Sequence, residues 1–211
     1  SHQRAREAMP IGGSVLDIGC GGGIGAFAIT PPASHVIGVD EQQEMLDLFT
    51  NNAAKFGTSV EIVLGQWPAV ADSTPVADVV TVHHVAFNVG EIVPFLAALN
   101  AHARKRVVIE VPVVHPMSNM NDGWKHFWNL IRPTVPVAGD LINVLDEMGI
   151  EATIEYFEGE ILLDKKVDGA NGFIRRRLCL PESRQGEVDA FLAENPMPER
   201  RKLAVIWWDI A

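Results

Sequence analysis

The 211-residue chain is poor in cysteine, in positive charge and in long apolar runs, and each shortage excludes something. Its two cysteines, Cys20 and Cys179, lie far apart and one sits inside a glycine-rich stretch, so a structural disulfide is not expected and a reducing, cytoplasmic setting is. Seventeen Lys and Arg against 27 Asp and Glu leave a formal charge of −10, which weighs against a nucleic-acid groove because phosphate binding is driven by clustered positive charge. The one basic run, Arg175-Arg176-Arg177, reads as the solvated part of a helix. No apolar run approaches the roughly 20 residues of a membrane span, and the polar start, Ser1 to Arg6, is not followed by the apolar region of a signal peptide. Internal repeats and low-complexity tracts are lacking too. His83, His84, His115 and His126 do not have the spacing of a known metal site, so no metal is expected. Length and a 47% hydrophobic composition suit one globular domain over residues 1–211. The oligomeric state is not readable.

Only a short polar segment, Ser1 to Gly13, precedes the first strand, Ser14 to Ile18. The apolar runs His35–Asp40, Val60–Leu64, Ala77–Val82 and Arg106–Val111 read as further strands. The unbroken apolar character of Ala77–Val82 suits a central parallel strand covered on both faces. Between them, Glu41–Phe56 and Glu91–Ala103 carry helical spacing, the first with Gly57 as its stop. Strands alternating with helices argue for a doubly wound parallel sheet. Pro112 to Pro136, with its prolines and the cluster Trp124, His126, Phe127 and Trp128, reads as an irregular aromatic segment. Beyond it, Ala138–Met148 is expected as a helix, Glu151–Phe157 as a strand and Ala170–Leu178 as a helix stopped by Pro181. Glu182–Glu194 follows as a helix, and Leu203–Trp208 is the last strand.

The densest signal is Ser14-Val15-Leu16-Asp17-Ile18-Gly19-Cys20-Gly21-Gly22-Gly23-Ile24-Gly25, which reads as strand, tight loop and helix N-terminus. Glycine permits positive φ and close approach of a ligand to the backbone, and a helix start offers unpaired N–H groups. Nicotinamide, flavin, ATP and S-adenosylmethionine sites all use such turns. The loop lacks the Gly-Lys-Ser/Thr ending of a P-loop. Asp17 stands two positions before the first loop glycine, where a negative charge is awkward beside a pyrophosphate but suits a cationic aminoacyl ligand. Asp40 closes the next strand about twenty residues on, where a carboxylate can accept both ribose hydroxyls.

On these residues the sequence resembles the class I S-adenosylmethionine-dependent methyltransferases, whose first motif runs apolar-apolar-Asp-apolar-Gly-x-Gly-x-Gly. The likeness extends through Gly38-Val39-Asp40, Ala77-Asp78-Val79-Val80-Thr81 and Val107-Val108-Ile109-Glu110, covering residues 14–111 as a cofactor-binding core, with helices and last strands in 137–211. The resemblance implies a Rossmann-like, doubly wound seven-stranded α/β sheet, mostly parallel with an antiparallel last strand and helices on both faces. It also implies S-adenosylmethionine as cofactor and S-adenosylhomocysteine (SAH) as product. Gly19, Cys20 and Gly21 would pass under the methionine part of the cofactor, with Asp17 helping to fix its ammonium. Asp40 would grip the ribose, Glu41 and Gln42 would flank the adenine, and His83 would stand near the cofactor. Gln66 replaces the acid that many relatives carry after the third strand, and Trp67 beside it reads as wall or core.

The cofactor already carries an activated methyl group, so the protein mainly has to align an acceptor and exclude water. His83 and His84 are the candidate catalytic residues, with Glu110 and His115 as further titratable groups on the ligand-binding edge. Trp124, Phe127 and Trp128 are candidate acceptor walls, with His126 or Arg132 as polar anchors. The expected activity is methyl transfer to a small molecule. A cofactor-binding protein without transfer activity and a nicotinamide-dependent oxidoreductase remain as alternatives.

Overall fold

The computed structural model describes residues 1–160 and 169–210. Seven strands form one sheet: β1 (Ser14–Ile18), β2 (His35–Asp40), β3 (Ser59–Leu64), β4 (Ala77–His83), β5 (Ala103–Pro112), β6 (Thr153–Glu160) and β7 (Arg200–Asp209). Their order is β3-β2-β1-β4-β5-β7-β6, with six parallel strands and the last antiparallel. The eight α-helices among the described residues are α1 (His2–Ala8), α2 (Ile24–Phe27), α3 (Gln43–Ala53), α4 (Ile92–His102), α5 (Asn121–Trp128), α6 (Ala138–Glu147), α7 (Gly169–Arg177) and α8 (Gln185–Glu194).

The chain divides into two compact units. One comprises Ser1–Val111, Ala138–Tyr156 and Ala204–Ala211; the other comprises Pro112–Val137 and Phe157–Leu203. The core expected over 14–111 falls within the first. Its central strands are apolar on both faces, as parallel strands between helical layers must be: Val15, Leu16, Val36, Ile37, Val79, Val80, Val107 and Val108 are all buried. β3, at the sheet edge, is mostly exposed. On α3 the inward face is Leu46, Phe49 and Ala53, at helical spacing. The last strand buries Trp208, whose Nε1 donates to Asn100 Oδ1 at 2.9 Å, while the Arg4 guanidinium lies over Trp207 at 4.8 Å.

Several elements depart from the sequence reading, for identifiable reasons. The polar segment 1–13 contains helix α1, held down by buried Ala5 and by Arg4 pairing with Glu155 at 2.7 Å. The helix after the glycine loop is a single turn, and Pro31, four residues past its end, has no N–H to donate back to the Phe27 carbonyl and continue it. Glu41 and Gln42 stay outside α3, with Gln42 extended at φ −110° and its N–H taken by Asp40. The segment 112–136 is not irregular throughout. Its prolines lie near its two ends, and between them a 3-10 turn, Pro116–Met120, runs into α5. The turn starts with Pro116, where a missing N–H costs nothing, and His115 accepts from the Met117 N–H. In the second unit, Met120, Ile174, Leu178, Leu180, Val188 and Leu192 form a separate apolar cluster. The arginine run lies on α7, and Arg175 there donates to Gln185 Oε1 and to the Leu180 carbonyl, each at 2.8 Å.

Candidate functional site

Strand order reverses between β1 and β4, and ligands of doubly wound sheets bind beyond the carboxyl ends of the strands at such a switch point. The glycine loop leaves β1 there. Gly19 and Cys20 both donate their N–H to the Val39 carbonyl, at 2.8 and 3.0 Å, which ties the loop to the end of β2. Gly19 and Gly21 take φ of 68° and 49°, left-handed values that side chains disfavour. Gly22 and Gly23 serve packing, since an added Cβ would strike Leu48 and Phe49 of α3. Gly25 does the same beneath His83, where a Cβ would lie 2.5 Å from the ring Nδ1.

Asp40 at the end of β2 organises the loop. Its Oδ2 accepts from the Gly21 N–H at 2.9 Å and its Oδ1 from the Gln42 N–H at 3.0 Å. A carboxylate offers about four lone-pair sites, so acceptor capacity is left for ribose hydroxyls. Asp40 borders a cavity of about 540 Å³. Of the residues singled out in the sequence, Gly19, Asp40, Glu41, Gln42, Gln66 and Trp67 line it. Trp67 is also structural: it is buried, its Nε1 donates to the Phe95 carbonyl at 3.3 Å, and its ring meets that of His102 edge-on. Sequence reading missed the opposite wall, Val85, Asn88, Val89 and Glu91, which follows β4. The available signal was a polar turn, Asn88-Val89-Gly90-Glu91, between a parallel strand and a helix.

Asp17, Cys20, Gly21 and His83 stand outside that lining. Asp17 is buried on β1, and its Oδ1 accepts from Thr81 Oγ1 at 2.8 Å. The same oxygen is 3.5 Å from His83 Nδ1, which is buried without a hydrogen-bond partner. Cys20 is buried, and its thiol is pushed well up by burial, then by the charges of Asp17 and Asp40. At the ends of β4 and β5 the register pairs His83 with Glu110. His84 has φ 62°, donates its N–H to the Glu110 carbonyl at 2.8 Å and holds its ring Nε2 3.3 Å from Glu110 Oε1. Ser1 Oγ donates to Glu110 Oε2 at 2.6 Å. Burial opposes ionisation of Glu110, but hydrogen bonds from His84 and Ser1 and the nearby histidines outweigh it and hold the carboxyl at about 2.

The candidate acceptor residues belong to the second unit. Trp124 and Phe127 pack against its apolar cluster. His126 lies between the rings of Phe127 and Phe191, at 4.6 and 4.8 Å. Trp128 Nε1 donates to the Leu178 carbonyl at 2.8 Å, and the Arg132 guanidinium stacks 5.1 Å over Trp124. Among the described residues, no group of three or more His, Cys, Asp or Glu is arranged to hold a metal ion, and no helix is long and apolar enough to cross a membrane.

The first unit suits S-adenosylmethionine on its own geometry. Asp17 is a buried carboxylate suited to an ammonium group, with the unpartnered His83 Nδ1 beside it, and the glycine loop, Asp40 and the cavity suit an adenosine. Residues 15–106 match the family described as Methyltransferase domain. A curated relative, the probable cobalt-precorrin-6B C(15)-methyltransferase (decarboxylating) of Pyrobaculum calidifontis, is 40% identical over 72 residues, which are 32% of this chain and 37% of that protein's length. Among solved structures, the YcgJ protein of Bacillus subtilis superposes with a TM-score of 0.65 at 18% identity, over 99% of this chain and 95% of that one. Magnesium protoporphyrin IX methyltransferase from Synechocystis PCC 6803, with bound SAH, gives 0.56 at 14% identity, over 91% and 72%. The match to a methyltransferase domain thus covers residues 15–106, less than half of the chain, and the solved structures share its fold.

Proposed function

We propose that the chain transfers a methyl group from S-adenosylmethionine to a small-molecule acceptor. The observation that carries this reading is the Asp40 carboxylate, which at once braces the glycine loop, holds the Gln42 N–H ahead of α3 and borders the 540 Å³ cavity. When bound, the cofactor supplies a sulfonium methyl that needs no further activation. Asp17 and His83 would hold the amino-acid end and Asp40 the ribose, while Gln42, Gln66 and Trp67 would bound the adenine. His83 and His84 at the end of β4 are the proposed catalytic residues. Trp124, His126, Phe127, Trp128 and Arg132 are the proposed acceptor residues, with the apolar faces and cation–π pairing that an aromatic or conjugated molecule requires.

A small acceptor agrees with the formal charge of −10, which disfavours phosphate-rich partners, and with the precorrin and magnesium protoporphyrin named for the two relatives. The unpaired thiols of Cys20 and Cys179 suit a reducing, cytoplasmic setting. Calorimetry with SAH and NAD, followed by a methyl-donor turnover screen over phenols, amines, thiols and carboxylic acids, tests the reading. SAH binding and a methylated product are expected. Binding of NAD without SAH points to a nicotinamide enzyme, and SAH binding with no product anywhere in the screen points to a binding protein.

A further inference from the structure

The two histidines at the end of β4 differ in what they can do. His83 is enclosed: its side chain is 15% exposed, its Nδ1 faces Asp17 and its Nε2 lies 3.2 Å from Ser1 Oγ. The His2 ring stands 5.5 Å away from it. His84 is 41% exposed and makes one side-chain ion-pair contact, through Nε2 to Glu110 Oε1. Its backbone takes the left-handed φ of 62° that few non-glycine residues adopt, and the N–H bond to the Glu110 carbonyl accompanies that conformation. Backbone and ring are thus both anchored on one residue of the neighbouring strand.

Glu110 is ionised at any working pH, so towards His84 it can only accept, and Nε2 must carry the proton. The neutral ring then presents a lone pair at Nδ1. The other groups facing Glu110 are Ser1, through its hydroxyl and its amino group at 3.8 Å, and His83; none of these removes that requirement.

We propose that His84 Nδ1 receives the acceptor's proton during transfer, and that Glu110 is the positioning residue that fixes the tautomer making this possible. The acceptor class is therefore one whose reacting atom still carries a proton at neutral pH, such as an un-ionised hydroxyl. This rests on the methyl-transfer reading. In the step, the acceptor O–H bond breaks towards Nδ1, and the oxygen pair forms the bond to the methyl carbon. The pair of the broken sulfur–methyl bond stays on sulfur. The products are a methyl ether, a neutral thioether and an imidazolium beside the Glu110 carboxylate.

Two measurements decide it. Long-range proton–nitrogen correlation on nitrogen-labelled histidine, above neutral pH, is expected to show His84 with Nε2 protonated and its proton slow enough in exchange to be seen. Glu110→Ala loses that proton signal and Glu110→Gln, which keeps an acceptor oxygen, retains part of it. A proton on Nδ1, or a signal indifferent to Glu110→Ala, overturns the proposal whether or not any acceptor is turned over. With S-adenosylmethionine, His84→Ala is expected to slow methylation of phenol by about 10²–10⁴-fold, the usual worth of a positioned base. Methylation of thiophenol, already ionised, should change less than tenfold. Equal losses on both, or none, refute a base role. SAH affinity is measured on every variant: a wild-type protein that fails to bind SAH defeats the methyltransferase reading itself, and the nitrogen spectra still judge the His84–Glu110 pair.

Discussion

Gly19→Ala isolates what the first loop glycine does. Its φ of 68° costs an L-residue roughly 1–2 kcal/mol relative to glycine. The new methyl would also fall under 3.0 Å from Val85 Cγ2, with Val85 Cβ and Cγ1 each at 3.6 Å, so the valine must move into the cavity it lines. Overpacking of this kind costs about 1–3 kcal/mol. Together the two effects amount to about 3 kcal/mol, which for a chain of this size lowers Tm by about 6–12 °C. SAH affinity should fall as well, because Val85 is displaced into the binding space. Val85→Ala in the same background removes Cγ2 and should return the overpacking share, about half of the loss. Differential scanning calorimetry of both single variants and the double variant, with SAH titrations, provides the cycle. If Val85→Ala recovers nothing in the Gly19→Ala background, the steric part of this account is wrong.

Asp40→Asn keeps one acceptor oxygen but turns an amide N–H₂ towards either the Gly21 or the Gln42 N–H. The loss of one hydrogen bond to a charged group, about 1.5–3 kcal/mol, should weaken SAH binding by about 10–100-fold in calorimetry. Glu110 has a folded pKa of about 2 against an ordinary 4.5, so the stability it contributes is complete above 4.5 and is lost as pH falls from there to about 2. Acid unfolding followed by circular dichroism should lose that part of its pH dependence in Glu110→Gln. Cys179 is exposed, whereas Cys20 is buried with its thiol held protonated by burial and by two carboxylates. Mass spectrometry after brief iodoacetamide treatment of the native protein should find Cys179 modified and Cys20 intact, and early labelling of Cys20 would contradict the described loop.

Much of the cofactor site is written in local sequence. Apolar runs such as Val79-Val80-Thr81-Val82 can be stable only as strands covered on both faces, and a glycine turn leaving β1 can only arrive at the sheet's ligand edge. Asp17 and Asp40 carry information through their spacing from that turn. Elements whose form depends on distant partners were less legible. Helix α1 reads as a polar segment because its anchors, Glu155 and Trp207, are remote in sequence. Helix α5 is obscured by flanking prolines, although Gly123 fits there against Leu178 in the second unit. The wall Val85 to Glu91 holds only one 3-10 turn, Ala86–Asn88, too short to show a periodicity.

The sequence by itself determined the strand–helix alternation, the glycine turn and the two acids that select the cofactor, because these rest on propensity, burial and spacing within short stretches of chain. Tertiary structure alone decided that Asp17 faces His83, that Asp40 binds Gly21, and that His84, more exposed than His83, holds its ring Nε2 beside Glu110. Those relations join neighbouring strands whose register is set by the packing of the whole sheet, so no local pattern could contain them.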